Sequence, residues 1–130
     1  MTPQSIVKIW NKAKNKKDFE QKLTDRGFSY FGCGDNSVVY SKKDINFVIK
    51  VGKGVCTRKL PKELERFRLP YIYTNGNRQI AIQLKVDTSK TYEARKIIDS
   101  SCSRTNLLDY DIHQDNVGWL DGKPVIFDYL

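Results

Sequence analysis

FSYFGCGDNSVVYSKKDINFVIKV, residues Phe28 to Val51, is the stretch whose reading decides the fold. β-Branched and aromatic residues crowd around two turn signals, GCGDN (Gly32–Asn36) and KKDIN (Lys42–Asn46), so an antiparallel hairpin is expected. On its N-terminal side, Ser5 to Lys14 sets Ile6, Ile9, Trp10 and Ala13 at helical spacing. Asn15 with Asp18 forms an N-cap pattern ahead of a second helix, in which Phe19 and Leu23 stand four apart and Gly27 can end the run. Residues 1–27 are therefore expected to be an amphipathic helical pair with solvated lysines outside.

On the C-terminal side, a glycine-punctuated loop leads to PKELERFR (Pro61–Arg68), which begins with Pro at an N1-like position and predicts a helix of about two turns. PYIYTNGNRQIAIQL (Pro70–Leu84) predicts a second hairpin around Asn75–Asn77. Ser89 to Ser103, with Tyr92, Ala94, Ile97 and Ile98, is mostly helical in pattern, and VGWL and PVIFDY flank the turn Asp121–Lys123 to give a last hairpin. The expected order is two helices, four strands with a helix inserted, a helix, a polar loop and two strands. That is an α+β fold in one domain, 1–130, with helices in 1–27, a sheet lobe in 28–86 and a smaller helix, loop and hairpin part in 87–130.

The length of 130 residues suits one modest core. No run approaches the roughly 18 apolar residues of a membrane span, and MTPQSIVKIWNKAKNKK lacks the apolar centre of a secretory signal. Three cysteines, Cys33, Cys56 and Cys102, make neither a CxxC pair nor an even disulfide framework, so a reduced, cytoplasmic setting is expected.

The net charge of +8 is unevenly distributed. Residues 1–26 hold seven Lys/Arg against three acids and 50–68 hold seven against two, whereas 109–130 hold five Asp against one Lys. A basic body attracts nucleic acid, anionic membrane or a polyphosphate such as ATP. A local acidic cluster within it is a candidate cation site.

Three separated motifs carry the chemistry. Gly32-Cys33-Gly34-Asp35-Asn36-Ser37-Val38-Val39-Tyr40 reads G-x-G-x-x-S-x-V-Y in the bend of a strand hairpin, where glycines let backbone N–H groups approach phosphates. Phe47-Val48-Ile49-Lys50 is an apolar strand ending in a lysine that needs an anionic partner if buried. Asp111-Ile112-His113-Gln114-Asp115-Asn116 is followed twelve residues later by Asp128, after the strand Val125-Ile126-Phe127. The intervening hairpin returns that second carboxylate towards the loop. Mg²⁺ takes oxygen ligands from one or two protein groups plus phosphates and water, which Asn116 and Asp128 can supply. Asp111 is then left to orient or deprotonate a hydroxyl.

In this order the three motifs resemble the protein-kinase-like superfamily, with its glycine loop, V-A-I-K strand, catalytic loop with Asn five residues after Asp, and D-F-G. The form D-x-H-x-x-N is closer to aminoglycoside and other small-molecule phosphotransferases. The resemblance implies a kinase-like nucleotide lobe with N-terminal helices and a minimal second lobe. It implies a phosphotransferase using ATP and Mg²⁺, with Gly32, Gly34, Ser37 and Val39 around the nucleotide and Lys50 on its phosphates. Glu63 or Glu65 would pair with Lys50, residues from Gln83 to Val86 would receive adenine, Asn116 and Asp128 would hold metal, and Asp111 would be catalytic. Ser37 replaces the third loop glycine and Asp109 the catalytic-loop histidine, and both departures point away from a typical protein kinase.

The chain ends two residues after Asp128, where such enzymes continue into a substrate-binding lobe. This implies an alternative: an inactive kinase-like binding protein, with a partner protein or self-association covering the shortened lobe. A compact form of this kind suits a viral or mobile-element origin, hence a host cytoplasm. A weaker reading gives the basic N-terminal half weak, salt-sensitive contact with nucleic acid; nucleic acid is not expected to be the principal partner, and no membrane is expected. His113 is the only histidine, which excludes a histidine-rich zinc site; it suits orienting the loop better than acting as base. Asp115 and Asp121 read as solvated, and Trp10 and Trp119 as packing residues.

Overall fold

The computed structural model describes residues 1–33, 37–53, 60, 62–77, 79–101 and 116–127. The chain is a mixed α+β fold that gathers into two compact units, Met1–Cys56 with Tyr71–Leu84, and Thr57–Pro70 with Lys85–Leu130.

The first unit begins with α1 (Pro3–Lys12). Its start lies ahead of the expected Ser5 because Thr2 and Ser5 form a capping box, with the Thr2 side chain accepting from the Ser5 N–H, and Pro occupies the first turn. Helix α2 (Lys16–Asp25) starts as its sequence predicts: Asn15 Oδ1 accepts the Asp18 N–H at 2.9 Å. Beyond its C-terminus Gly27 takes φ +89°, a left-handed conformation that glycine adopts without a Cβ penalty.

Strands β1 (Ser29–Cys33), β2 (Ser37–Ser41), β3 (Phe47–Gly52), β4 (Tyr73–Thr74) and β5 (Ile80–Leu84) form one antiparallel sheet in the order β1-β2-β3-β5-β4. The sequence led to four strands here and the sheet has five, because both turn signals in Phe28–Val51 separate strands and the single expected hairpin is a three-stranded meander. Period-two alternation then sorts the side chains. Phe47, Ile49 and Val51 of β3, with Ile80 and Ile82 of β5, join Ile6, Ile9, Phe19 and Leu23 of the helices in one core. The helices thus cover one face of the sheet, and Trp10 meets Phe19 edge-on at 5.0 Å to close that core.

The second unit contains a 3-10 helix (Lys62–Phe67) where the sequence led to an ordinary helix of about two turns. It also contains α3 (Thr91–Ser100) and an antiparallel hairpin of β6 (Val117–Leu120) and β7 (Lys123–Ile126). Asp121 and Gly122 join the hairpin with φ of 50° and 77°, the pair of left-handed residues that the Asp-Gly signal predicts. Ala94 and Ile98 of α3 pack with Leu64, Val117 and Ile126. Leu69 N–H donates to Ile126 O at 2.9 Å, fastening the segment after the 3-10 helix to the hairpin. No helix among the described residues is long and apolar enough to cross a membrane.

Candidate functional site

In the first unit, three of the residues singled out by their motifs fall into a single row across the sheet. Gly32 of β1 pairs with Val39 of β2, Val39 with Lys50 of β3, and Lys50 with Ala81 of β5. Cross-strand partners point to the same face. Since Ile49, Val51, Ile80 and Ile82 belong to the helix-packed core, this row lies on the opposite face of the sheet.

The row depends on an irregularity in β1. Register runs from Tyr30↔Tyr40 to Gly32↔Val39, so Phe31 is an extra residue in its strand. Without that bulge Gly32 would share the face of Tyr30 and Tyr40. With it, Gly32 joins Val39 and Lys50. A Cβ built on Gly32 would meet nothing within 4 Å among the described residues.

Lys50 is the one residue of β3 that is not fully buried, and it is flanked by Val39, Val48 and Ala81, each no more than 2% exposed. An ammonium in such surroundings gains strongly from an anionic neighbour, because few waters compete for it. Val48 pairs with Gln83, which is also buried, so a second row of the same face runs beside the first. Val48 and Ala81 were given no role from the sequence; Val48 stands two residues before Lys50 on β3, and Ala81 is the partner of Lys50 on β5. Ser37 begins β2 two residues before Val39, on the same face and opposite Gly52. Gly34 lies outside the described residues.

In the second unit, Asn116 is 7% exposed and bound to the far end of the hairpin. Its Nδ2 donates to Phe127 O at 3.1 Å, and Phe127 N–H donates to Asn116 O at 2.9 Å. That orientation leaves the Oδ1 atom, a hard oxygen of the kind Mg²⁺ selects, with no hydrogen bond among the described residues. Phe127 directly precedes Asp128 in the chain. Asp111, His113, Asp115 and Asp128 themselves lie outside the described residues. Among the described residues, no group of three or more His, Cys, Asp or Glu stands together.

The 3-10 helix separates its two candidate carboxylates. Glu65 is held by Arg68 through two bonds of 2.9 Å. The Arg68 guanidinium, hydrogen-bonded to the carboxylate, keeps Glu65 below the usual carboxylate range. Glu63 sits half-buried on the same helix, next to buried Leu64.

No protein-family model, curated protein or solved structure matches this chain.

Proposed function

We infer that this chain binds ATP with Mg²⁺ and transfers the γ-phosphoryl group to a hydroxyl acceptor, as a kinase-like phosphotransferase. The observation that carries the reading is the Gly32–Val39–Lys50 row, which sets an open glycine, an apolar wall and a lysine side by side on one sheet face. Gly32 allows close backbone approach and Lys50, held between the buried Val39, Val48 and Ala81, takes the phosphates.

In the second unit the donor set suits a hard cation: Asn116 offers an amide oxygen, and the sequence adds the Asp128 carboxylate. When bound, Mg²⁺ would neutralise the phosphate charge that grows during transfer. The bond from the γ-phosphorus to its bridging oxygen breaks, a bond to the acceptor oxygen forms, and ADP leaves. The acceptor proton passes to the Asp111 carboxylate and on to water.

Calorimetric titration of ATP, with and without Mg²⁺, on the wild-type chain and on Asp128→Ala, tests this reading. Mg²⁺-dependent binding in the wild type that disappears in the variant is expected. Absence of ATP binding, or binding indifferent to Mg²⁺ and to Asp128, would overturn it.

A further inference from the structure

The corner between α1 and α2 holds a half-open basin of about 450 Å³, lined by Trp10, Asn11, Ala13, Lys14, Asn15, Lys16 and Gln79. This volume falls within the range of small-ligand clefts. It stands on the helix-covered side of the first unit, where Gln79 O accepts the Gly52 N–H, and the Lys50 row faces the other way.

The lining is rich in donors and contains no carboxylate. Lys14 and Lys16, both exposed, stand on either side of Asn15 in the lining. Asn15 Oδ1 is occupied in capping α2, so its remaining hydrogen-bonding group is the Nδ2 donor. The neighbouring carboxylate, Asp18, is already engaged by the Lys14 N–H at 2.9 Å and by Lys22 Nζ at 2.8 Å. Asn11 and Gln79 add amides able to face phosphate oxygens or base edges. Trp10 adds an aromatic wall whose position is fixed by its edge-on contact with Phe19. Elsewhere on the same two helices, the exposed Lys8, Lys12 and Lys17 add positive charge.

Cationic donors around a fixed aromatic ring match the chemistry of a nucleotide within a single strand: phosphate between the lysines and base against the indole. We propose that the α1–α2 basin is a binding site for single-stranded nucleic acid, with Lys14 and Lys16 on the backbone and Trp10 beneath a base. An acidic peptide would satisfy the lysines and make no use of Trp10. A free nucleotide would fill the basin and gain nothing from the lysines outside it.

Binding of a labelled twelve-nucleotide oligothymidylate is followed by fluorescence anisotropy across a salt series, alongside ¹H–¹⁵N spectra of the two tryptophan indole groups. The Trp10 indole signal is expected to move and the Trp119 signal to stay. Lys14→Gln with Lys16→Gln is expected to weaken binding about tenfold and to make the log–log salt slope shallower by about 1.4, roughly 0.7 for each lost phosphate contact. Lys43→Gln removes a charge from the turn between β2 and β3, at the opposite end of β3 from Gly52, and is expected to leave affinity within about twofold. All of these substitutions are at exposed positions and leave the core residues in place. The proposal is overturned by absence of binding, by equal losses in the Lys43 and Lys14/Lys16 variants, by thymidine monophosphate binding as tightly as the oligomer, or by a glutamate peptide of equal length displacing it.

Discussion

Asn116 and Phe127 exchange hydrogen bonds through main chain and side chain, adding one rung beyond the Val117–Ile126 pair that ends the β6–β7 ladder. Asn116, just ahead of β6, and Phe127, just after β7, are thereby fixed to each other. The residue proposed to offer a metal its oxygen is also the residue that locks this junction.

Asn116→Ala should accordingly affect both stability and ligand binding. Removing Nδ2 leaves the Phe127 carbonyl in buried surroundings with one donor fewer, at a cost of about 1–3 kcal/mol. Urea denaturation should show that loss, and magnesium-dependent ATP binding should fall with it. An unchanged denaturation midpoint would mean that the amide bond to Phe127 contributes nothing net.

Two glycines should respond to alanine in opposite ways. A Cβ on Gly118 would come within 2.9 Å of Asp87 O and 3.1 Å of Val86 Cγ2, since Asp87 and Trp119 exchange backbone hydrogen bonds of 2.9 Å directly alongside. A backbone oxygen cannot swing aside, so Gly118→Ala should destabilise the chain by about 1–3 kcal/mol. At Gly32 a Cβ meets nothing within 4 Å among the described residues, and Gly32→Ala should keep its thermal midpoint while weakening ATP binding. Thermal denaturation of both variants and titration of the second check this. Full ATP affinity in Gly32→Ala would remove the glycine from the nucleotide site.

Much of this arrangement is legible in local sequence. Asn15 with Asp18 marks the start of α2, Asp121-Gly122 marks the last turn, and alternation in Phe47–Val51 shows which side chains enter the core. Two features of the first unit escape a local reading, for distinct causes. The start of α1 was present as Thr2, Pro3 and Ser5, but apolar spacing alone begins only at Ile6. The face on which Gly32 lies follows from the extra residue Phe31, and a bulge is fixed by pairing with β2 and by no signal within β1 itself. Likewise Gly118 reads as an ordinary strand glycine until Asp87, thirty-one residues earlier, is placed beside it. Residues that act locally are readable; those whose role comes from a distant backbone are not.

Acid should loosen the start of α2. The Lys22 ammonium, hydrogen-bonded to Asp18, and the Lys14 N–H hold the Asp18 carboxyl below its usual range. A folded-state pKa lower than the unfolded one gives stability that is present above the unfolded value and lost as pH falls through the folded value. Asp18→Asn should therefore be less stable than wild type at neutral pH, by no more than the modest amount of an exposed pair. The two should converge in acid once the wild-type carboxyl is protonated. Denaturation midpoints measured across that range check the sign, and a gap that widened in acid would contradict it.

Alkali should act through Tyr40. Its phenol donates to Glu20 Oε1 at 3.1 Å, joining β2 to α2. Burial, then the Glu20 charge, push its pKa up from the usual value near 10 to about 12. Because the folded pKa is the higher one, this contribution is fully present below the unfolded value and disappears as pH rises through the folded value. Phenylalanine keeps the ring and lacks the ionising group. The stability advantage of wild type over Tyr40→Phe should consequently be constant up to about pH 10 and shrink between there and about pH 12. Comparing the two chains by urea denaturation cancels the titration of the other tyrosines and the lysines. A difference that stayed level to pH 12 would show that the Tyr40–Glu20 bond does not govern the ionisation of the phenol.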